Sequence, residues 1–369
     1  MKRRMWIIVS IIVFLAIAGV VFVNQPSFGR IPRGERLERI KKSPNYQNGE
    51  FQNLHETPQV TSGKGYFASL VEFLFKKKER LKPENDLPAY KTDLWKLDRS
   101  ENCLIWFGHS SYLLQVDGVR ILVDPVFSKA ASPVSFVNKS FKGTDIYTPN
   151  DIPDVDYLII SHDHWDHLDY RTVMALKDRI GKVICGLGIG EHFEYWGFDN
   201  NNIVELDWDE NISFGNNLTV HCFPARHFSG RGVSPNQSLW ASFLLETPLI
   251  KIYVGGDSGY DTHFEKIGKL FGEIDLAILE AGQYDKDWKY IHMMPEEVLQ
   301  ATRDLNAKKL LPVHNSKYAL ANHPWDEPLA KISELRDSTK FQLLTPLIGE
   351  KVMLNDHIST FNNWWESQK

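Results

Sequence analysis

Residues 157–167 read Tyr157-Leu158-Ile159-Ile160-Ser161-His162-Asp163-His164-Trp165-Asp166-His167, a short apolar run that leads directly into a cluster of polar side chains. The apolar run predicts a buried strand, and the cluster holds four potential metal ligands, His162, His164, Asp166 and His167. Imidazole and carboxylate suit divalent zinc, and a strand end holds them rigidly while one coordination position stays open for water. Because alternate residues point to one side and His167 turns to the other, the motif favours two metal ions over one.

Three more polar residues follow predicted strands farther along the chain. His227 comes after the run Leu218–Phe223, Asp257 after Ile250–Val254, and His314 after Lys309–Val313. A single histidine of this kind would usually be an ordinary structural residue. Together with the clustered motif, the three complete a predicted ligand set: His162, His164, Asp166, His167, His227, Asp257 and His314. Zinc is the expected metal, although these ligands also permit manganese or iron.

Strand-like runs alternate with helix candidates from Asn102 onwards, which predicts an α/β or mixed α+β layered domain. Asp117-Gly118 is a two-residue turn of the type that closes a hairpin. Strands are predicted at residues 104–107, 112–116, 119–123, 157–160, 182–184, 218–223, 239–245, 250–254, 276–279 and 309–313. Helices are predicted at residues 66–80, 172–180, 262–271, 295–305 and 327–335.

The composition is that of a folded protein with a sizeable core, since 43% of the 369 residues are hydrophobic and 24% are charged. One large domain is the working expectation. A net charge of -5 lacks the basic excess usual in proteins that bind nucleic acid, so no nucleic-acid partner is expected and a small or membrane-borne substrate fits better. Cys103, Cys185 and Cys222 lie in apolar runs, where we expect buried free thiols.

The first 24 residues are a candidate membrane anchor. An uncharged apolar run from Trp6 to Val23 reaches the length that spans a bilayer as a helix. Ala16-Ile17-Ala18 is a weak cleavage candidate, but the run continues beyond it, so a retained single-pass anchor is favoured over a cleaved signal peptide. Basic residues on both sides of the run leave the orientation across the membrane open. Those between Arg30 and Lys42 either rest on anionic headgroups or form a solvated face.

Residues 25–100 are polar and contain several prolines, which indicates an extension that wraps the main domain, expected at residues 101–369. Two motifs are discounted. Gly256-Asp257-Ser258-Gly259 has the letters seen around serine nucleophiles, but no accompanying triad is recognisable. Gly186-Leu187-Gly188-Ile189-Gly190 has the wrong spacing for a dinucleotide loop and predicts a turn.

The order His162-x-His164-x-Asp166-His167, followed by single histidine, aspartate and histidine ligands, resembles the signature of the metallo-β-lactamase superfamily. Five further blocks are similar to the branch that contains N-acylphosphatidylethanolamine-hydrolysing phospholipase D: residues 106–110, 122–128, 203–208, 256–260 and 292–297. The resemblance covers about residues 102–327. It implies the four-layer αβ/βα sandwich of that superfamily, an α+β fold, with the site at one rim between two sheets.

The same resemblance implies a role for each ligand. His162, His164 and His227 would hold a first zinc ion, Asp166, His167 and His314 a second, and Asp257 would bridge both. A metal-bound hydroxide would be the nucleophile, and Asp166 and His292 are the candidate catalytic residues. His109 and Asp124 lie in matched blocks and either orient the ligands or make plain structural hydrogen bonds.

The chain departs from that phospholipase at two positions near the site. Trp165 stands where the phospholipase has a tyrosine, and Ile291 stands where it has a glutamine before the histidine that corresponds to His292. A polar group beside His292 is therefore lost, and the resemblance leaves the lipid headgroup open.

Three functions compete at this point. The leading hypothesis is a dinuclear zinc phosphodiesterase of the phospholipase D type, acting at the membrane on N-acylphosphatidylethanolamine or related phospholipids. The second is a metal-dependent lactonase or phosphoesterase that acts on a soluble small molecule, because a fold does not dictate its substrate. The third, a non-catalytic metal-binding membrane protein, is disfavoured because a structural site needs neither a second metal nor an open position. The oligomeric state does not follow from the sequence.

Overall fold

A computed structural model of the chain describes residues 2–61, 63, 78–215, 217–335, 341–355 and 361–368. The helices are α1 (Lys2–Val23), α2 (Gly34–Ile40), α3 (Tyr170–Leu176), α4 (Gly190–Tyr195), α5 (His263–Phe271), α6 (Pro295–Asp304) and α7 (Glu327–Leu335). The strands are β1 (Tyr46–Gln47), β2 (Glu50–Phe51), β3 (Cys103–Trp106), β4 (Tyr112–Val116), β5 (Val119–Val123), β6 (Val155–Ile160), β7 (Ile180–Gly186), β8 (Ile203–Leu206), β9 (Asn211–Ser213), β10 (Thr219–Phe223), β11 (Ser242–Glu246), β12 (Lys251–Val254), β13 (Leu276–Glu280), β14 (Lys309–Val313), β15 (Gln342–Leu343) and β16 (Lys351–Met353).

Two seven-stranded mixed sheets form the body of the protein. The first has the order β16-β3-β4-β5-β6-β7-β8 and the second the order β15-β14-β13-β12-β11-β10-β9. Strands β5 to β8 are mutually parallel, as are β12 to β15, and the other neighbours are antiparallel. The predicted hairpin is confirmed: Val116 pairs with Val119, and both Asp117 and Gly118 have positive φ, as this tight turn requires.

Three apolar clusters separate four layers. The largest lies between the two sheets and takes alternate residues of each, for example Ile121 and Ile159 from the first and Val254 and Ile278 from the second. A second cluster packs the other face of the first sheet against α3 and α4, and a third packs the second sheet against α5, α6 and α7. Because strand side chains alternate between faces, strands covered on both sides are apolar throughout. The predicted α+β layered sandwich is confirmed.

Some apolar residues that were predicted to be part of a strand lie in a loop in the structure. The run predicted at 239–245 begins as a strand only at Ser242, because Leu239 N–H donates to Leu187 O at 2.7 Å and Ala241 N–H donates to Ser161 O at 2.9 Å, both across to the first sheet. The short edge strands β8, β9, β15 and β16 have no predicted counterpart. The predicted helix at 66–80 falls, over residues 66–77, outside the described residues.

Helix α1 has 22 residues, an 18-residue window within it has a mean hydropathy of 3.0, and none of its residues is buried by the rest of the described chain. By length and composition it is able to cross a membrane. A signal sequence near an N-terminus has the same features.

The extension after α1 contacts the domain through ion pairs. Arg36 is only 10% exposed, and its guanidinium lies 2.6 Å from Glu205, 2.9 Å from Glu191 and 2.5 Å from Glu194. Burial lowers the pKa of Arg36, but the carboxylates outweigh this effect and raise it above the usual value. The expectation that this arginine lies in a solvated face or on headgroups is therefore wrong.

All three cysteines are buried free thiols, as predicted, and burial raises the pKa of Cys103 to about 11. The thiolate is the reactive form. We therefore expect the folded chain to give almost no colour with a disulfide reagent at neutral pH and the denatured chain to react at all three cysteines. A Leu249→Cys variant, with a side chain 77% exposed in the native protein, is the control and should react at once. Fast reaction of the unaltered folded chain would contradict the burial.

Candidate metal centre

The predicted metal-binding motif, residues 162–167, follows the end of β6 at Ile160. It folds into a tight turn in which the N–H groups of His167 and Leu168 donate to His164 O at 3.1 and 2.8 Å. The turn brings the imidazole rings of His162 and His167 to 4.1 Å between centroids. Neighbours in the sequence therefore face one shared volume.

The other three predicted ligands reach the same place because of strand direction. β10, β12 and β14 all run the same way in the second sheet, so their carboxyl ends lie at one edge. His227, Asp257 and His314 each follow one of these ends. Gly256 allows the approach of the second sheet to the motif, since it has a φ of +60° and a Cβ there would lie 2.8 Å from Ser161 Cβ. All seven predicted ligands thus converge at one rim between the sheets.

A first cluster contains only imidazoles. His162 Nε2 and His227 Nε2 lie 2.9 and 3.3 Å from His164 Nδ1. Two nitrogens bound to one tetrahedral zinc lie about 3.3 Å apart, since each bond is about 2.0–2.1 Å. Burial lowers the pKa of all three imidazoles, and repulsion from His167 and His164 lowers that of His162 further. The three rings are therefore neutral, as metal ligands must be.

A second cluster surrounds Asp166. Its Oδ2 atom lies 3.3 Å from His314 Nε2 and 3.6 Å from His167 Nε2. His109 Nε2 lies closer still, at 2.9 Å from the same oxygen. Of the two roles left open for His109, this contact favours the orientation of a predicted ligand, because His109 shares the Asp166 carboxylate with His314 and His167.

Asp257 lies between the two clusters. Its Oδ2 atom is 3.2 Å from His314 Nε2 and 3.3 Å from His167 Nε2 on one side. On the other side it is 3.7 Å from His227 Nε2 and 3.9 Å from His162 Nε2. This position fits the bridging role that the resemblance implies for Asp257.

Four buried atoms of the site have no hydrogen-bond partner among the described residues: Asp257 Oδ1, His167 Nε2, His314 Nδ1 and His109 Nδ1. A buried polar atom without a partner is costly, and a carboxylate oxygen and an imidazole nitrogen that face one volume are both donors to a cation. With the nitrogen spacing of the first cluster, this makes the residues present a good fit to two divalent ions.

The charges in the second cluster also favour a bound cation. Burial lowers the pKa of His314, but Asp257, Asp166 and Glu280 outweigh it and raise the pKa to about 10. The pKa of His167 is likewise raised well above its ordinary value by Asp257 and Asp166 against the effect of burial. The carboxylates thus hold positive charge at these imidazoles, either as protons or as a metal ion that displaces them.

Hydrogen bonds to the second ring nitrogen fix the orientation of the ligands. Asp124 Oδ2 lies 2.8 Å from His167 Nδ1, and Ile291 O lies 3.0 Å from His227 Nδ1. A carbonyl or carboxylate oxygen accepts a hydrogen bond from Nδ1–H, which leaves Nε2 free to bind a metal. Asp124 therefore orients a ligand, one of the two roles left open by the sequence.

Glu280 was not identified from the sequence. It is fully buried at the end of β13, with Oε2 3.5 Å from His314 Nδ1 and 3.3 Å from His292 Nδ1. The signal was present, since Glu280 follows an apolar strand in the same way as the predicted ligands do. His292 is 8% exposed, and its ring centroid lies 5.1 Å from that of His227 and 5.2 Å from that of His314.

Asp163 and Asn53 are further residues that the sequence did not single out. Asp163 accepts hydrogen bonds from Gly230 N–H at 2.7 Å and Ser238 Oγ at 2.9 Å, which ties the motif to the loop that carries His227. Asn53, in the extension, donates to His227 O at 2.7 Å and accepts from His227 N–H at 3.1 Å. The extension therefore holds the backbone of one predicted ligand.

Three non-glycine residues of the site have left-handed backbone conformations, His109, Asp124 and His314, with φ of 53°, 41° and 64°. Each such residue costs on the order of 1 kcal/mol and persists only where surrounding contacts enforce it. The sharp turns let the chain leave a strand and aim a side chain back across the rim.

The two discounted motifs have structural roles. Ser258 Oγ donates to Gly259 O at 2.7 Å and accepts from Arg226 N–H at 2.9 Å. The glycine-rich segment after β7 is a turn, and the N–H groups of Gly188 and Gly190 donate to Glu205 Oε1 at 2.7 and 3.1 Å. A carboxylate of the chain itself thus occupies the position that a phosphate would need.

Three cavities lie near the motif, and of these only cavity C is lined by a predicted ligand. Cavity A, of about 570 Å³, is lined by Trp165 of the motif and by several residues of segment 128–145. Cavity B, of about 420 Å³, is lined by Asp163 and by part of the loop after β10. Cavity C, of about 620 Å³, is lined by His227 and by mostly polar residues of segment 47–59.

The chain is similar to several known proteins. Residues 119–315 match the family model described as the beta-lactamase superfamily domain. An uncharacterised protein of Mycobacterium tuberculosis is 38% identical over 316 residues, which cover 85% of each chain. N-acyl-phosphatidylethanolamine-hydrolyzing phospholipase D 1 of Caenorhabditis elegans is 32% identical over 251 residues, which cover 63% of this chain and 69% of that protein.

Among solved structures, the metallo hydrolase Igni18 of Ignicoccus hospitalis superimposes with a TM-score of 0.53 at 22% identity, and the match covers 68% of this chain and 97% of that one. At this identity the likeness concerns the fold. The chain thus belongs to the β-lactamase superfamily, as a metal-dependent hydrolase that resembles the phospholipases D acting on N-acylphosphatidylethanolamine.

Proposed function

We propose that this protein is a membrane-anchored dinuclear zinc phosphodiesterase that hydrolyses N-acylphosphatidylethanolamine or a closely related phospholipid. The observation that carries the proposal is the convergence of seven predicted ligands on one buried volume in which Asp257 Oδ1 and His167 Nε2 have no partner among the described residues. The substrate class is supported by the similarity to the nematode phospholipase D.

The ligands divide into two sets. His162, His164 and His227 would hold one ion, Asp166, His167 and His314 the other, and Asp257 both. When bound, such ions activate water as a nucleophile near neutral pH and stabilise negative charge on a phosphoryl oxygen.

The chain itself supplies a proton donor that is held in a fixed position. Water attacks phosphorus, the bond from phosphorus to the ethanolamine oxygen breaks, and that oxygen must gain a proton as N-acylethanolamine leaves. His292 is the residue placed to donate it, because it lies beside both clusters and Glu280 holds its Nδ1 atom at 3.3 Å. Burial of both groups fixes the ring and keeps bulk water away.

Helix α1 would deliver the enzyme to this substrate. None of its residues is buried, and transfer of such a helix into a bilayer is strongly favourable. A long-chain lipid is then available at high local concentration.

One observation favours the alternative of a soluble substrate. Cavity C adjoins His227 and is lined mainly by polar side chains, including Gln52, His55 and Glu56. A small polar lactone or phosphate ester would fit such a cavity better than an acyl chain would.

Asp257→Asn should lower the release of N-acylethanolamine about 100-fold or more, because even loss of a partner outside the ligand shell costs 10–100-fold in metal affinity or activity. The metal content of the variant should fall in parallel. Asp275→Asn is the matched control, because Asp275 lies just before β13, at the end of the strands away from the site. This variant should retain both activity and metal content. Two bound metals without any release of N-acylethanolamine would refute the lipid assignment, and a chain that binds no metal would refute the centre itself.

His292→Gln should lower the turnover of N-acylphosphatidylethanolamine by roughly 100-fold or more at unchanged metal content, because a proton donor contributes about that factor. Bis(p-nitrophenyl) phosphate has a leaving group that needs no proton, so the variant should cleave it nearly as fast as the unaltered protein does. Equal losses on both substrates would show that His292 acts on structure and not as a proton donor.

A retained anchor predicts that the protein isolated from membranes has the intact mass of the full chain and stays in the membrane pellet after alkaline carbonate extraction. The reason is that the apolar run extends to Val23, beyond the Ala16-Ile17-Ala18 candidate site. A mature protein that begins just after Ala18 would identify a signal peptide instead.

A further inference from the structure

The segment that follows α1 contacts the motif at residues 162–167, partly through Arg231. Ser27 O accepts hydrogen bonds from Arg231 Nε and Nη2 at 3.2 and 2.8 Å, and Arg231 Nη1 donates to Asp163 O at 2.8 Å. The Arg231 guanidinium also lies 4.1 Å from the centre of the Trp165 ring. Phe28 also packs edge-on against Trp165, with ring centroids 4.9 Å apart.

A second link runs through His192. Arg30 N–H donates to His192 Nδ1 at 3.0 Å, so that nitrogen is unprotonated and Nε2 carries the proton towards Asp163 Oδ2, 3.2 Å away. Gly29 has a φ of +70° and touches the His192 ring so closely that a Cβ there would overlap it. The place where the chain leaves α1 is therefore fixed relative to the site.

Two loops leave the same rim of the sandwich and flank the end of α1. Cavity A joins Gln25 and Ser27 to segment 128–145, which follows β5, and cavity B joins Val23, Asn24 and Phe28 to residues 231–234, which follow β10. Each loop carries an apolar side chain in solvent: Phe136 is 75% exposed and Val233 is 85% exposed. Single exposed apolar residues are ordinary, but here they stand on both sides of a helix that is uncharged from Trp6 to Val23 and exposed there except at the half-buried Phe22.

The wall of cavity A adds positive charge. Lys129, Lys139, Lys142 and Arg171 line it and are exposed, and none of them forms an ion pair with a carboxylate of the described residues. The same wall carries two carboxylates, Asp145, which accepts a hydrogen bond from Ser140 Oγ, and Asp169, which accepts from Ser128 N–H and Thr172 Oγ1, so the four cations outnumber them. Exposed lysine and arginine next to a membrane helix attract anionic lipid headgroups.

We propose that Phe136 and Val233, with Lys129, Lys139, Lys142 and Arg171, form a docking face for a bilayer that contains anionic phospholipids, and that this face turns the metal centre towards the membrane surface. The proposal rests on the anchor of the proposed function. It adds a fixed orientation, in which the apolar tips enter the headgroup region, the cations meet lipid phosphates, and Trp165 and Asp163 lie between cavities A and B at the lipid surface. The occupant is lipid because the face continues the surface of α1.

The test uses the full-length chain in nanodiscs of phosphatidylcholine, with and without phosphatidylglycerol. Because the three native cysteines are buried, Phe136→Cys and Val233→Cys can each be labelled selectively with an environment-sensitive fluorophore. Leu249→Cys is the matched control, since it is equally exposed but lies in the turn between β11 and β12 at the opposite edge. We expect lipids spin-labelled near the headgroup to quench the first two fluorophores roughly twofold or more, as for groups at that depth, and to leave the control unchanged.

The charge contribution has its own control. Joint replacement Lys139→Glu and Lys142→Glu should reduce quenching at the Val233→Cys label in anionic nanodiscs and have little effect in neutral ones. Lys266→Glu with Lys269→Glu, on exposed lysines of α5, should change neither.

The outcomes separate the two proposals. If the chain does not co-elute with nanodiscs, α1 is not a membrane anchor, and the proposed docking face is refuted together with it. If the chain co-elutes but the labels at 136 and 233 behave like the one at 249, the anchor stands and the docking face is refuted. A blue shift at 136 or 233 without quenching by spin-labelled lipid would also refute it, because a second copy of the chain would then cover the face.

Discussion

Buried negative charge at one rim of the sandwich is the constraint on which the rest of the site depends. Asp166, Asp257 and Glu280 share a volume that is largely closed to solvent, and each buried carboxylate costs several kcal/mol unless positive charge and hydrogen bonds compensate it. The imidazoles around them supply that charge in the absence of metal, and divalent ions would supply it in their presence. The strained turns and the hydrogen bonds to Nδ1 atoms keep these groups in contact.

The convergence of the seven predicted ligands could be predicted from sequence because one local rule governs the placement of all of them. Each lies just beyond an apolar strand, and strands that run in one direction bring their ends to one edge. The strands covered on both faces, such as β5 and β14, were found for the same reason, since a continuous apolar run has few other interpretations. The confirmed elements are therefore those whose signal lies within about ten residues of chain.

The remaining features depend on partners that are distant in sequence. Asn53 became significant only through His227, and Arg36 only through Glu205, which is more than 160 residues away. No local pattern separates such residues from ordinary surface polar groups. The left-handed backbone of His109 and His314 is equally invisible, because those residue types adopt many conformations and tertiary contacts select this one.

The pairing of β16 with β3 has a consequence for biosynthesis. Val352 lies opposite Leu104, so the first sheet gains its last strand only after nearly the whole chain has left the ribosome. Until then β3 presents unpaired backbone groups along one side, and such an edge is prone to pair with other chains. An edge that stays open until β16 is made is a surface that chaperones would have to cover during elongation.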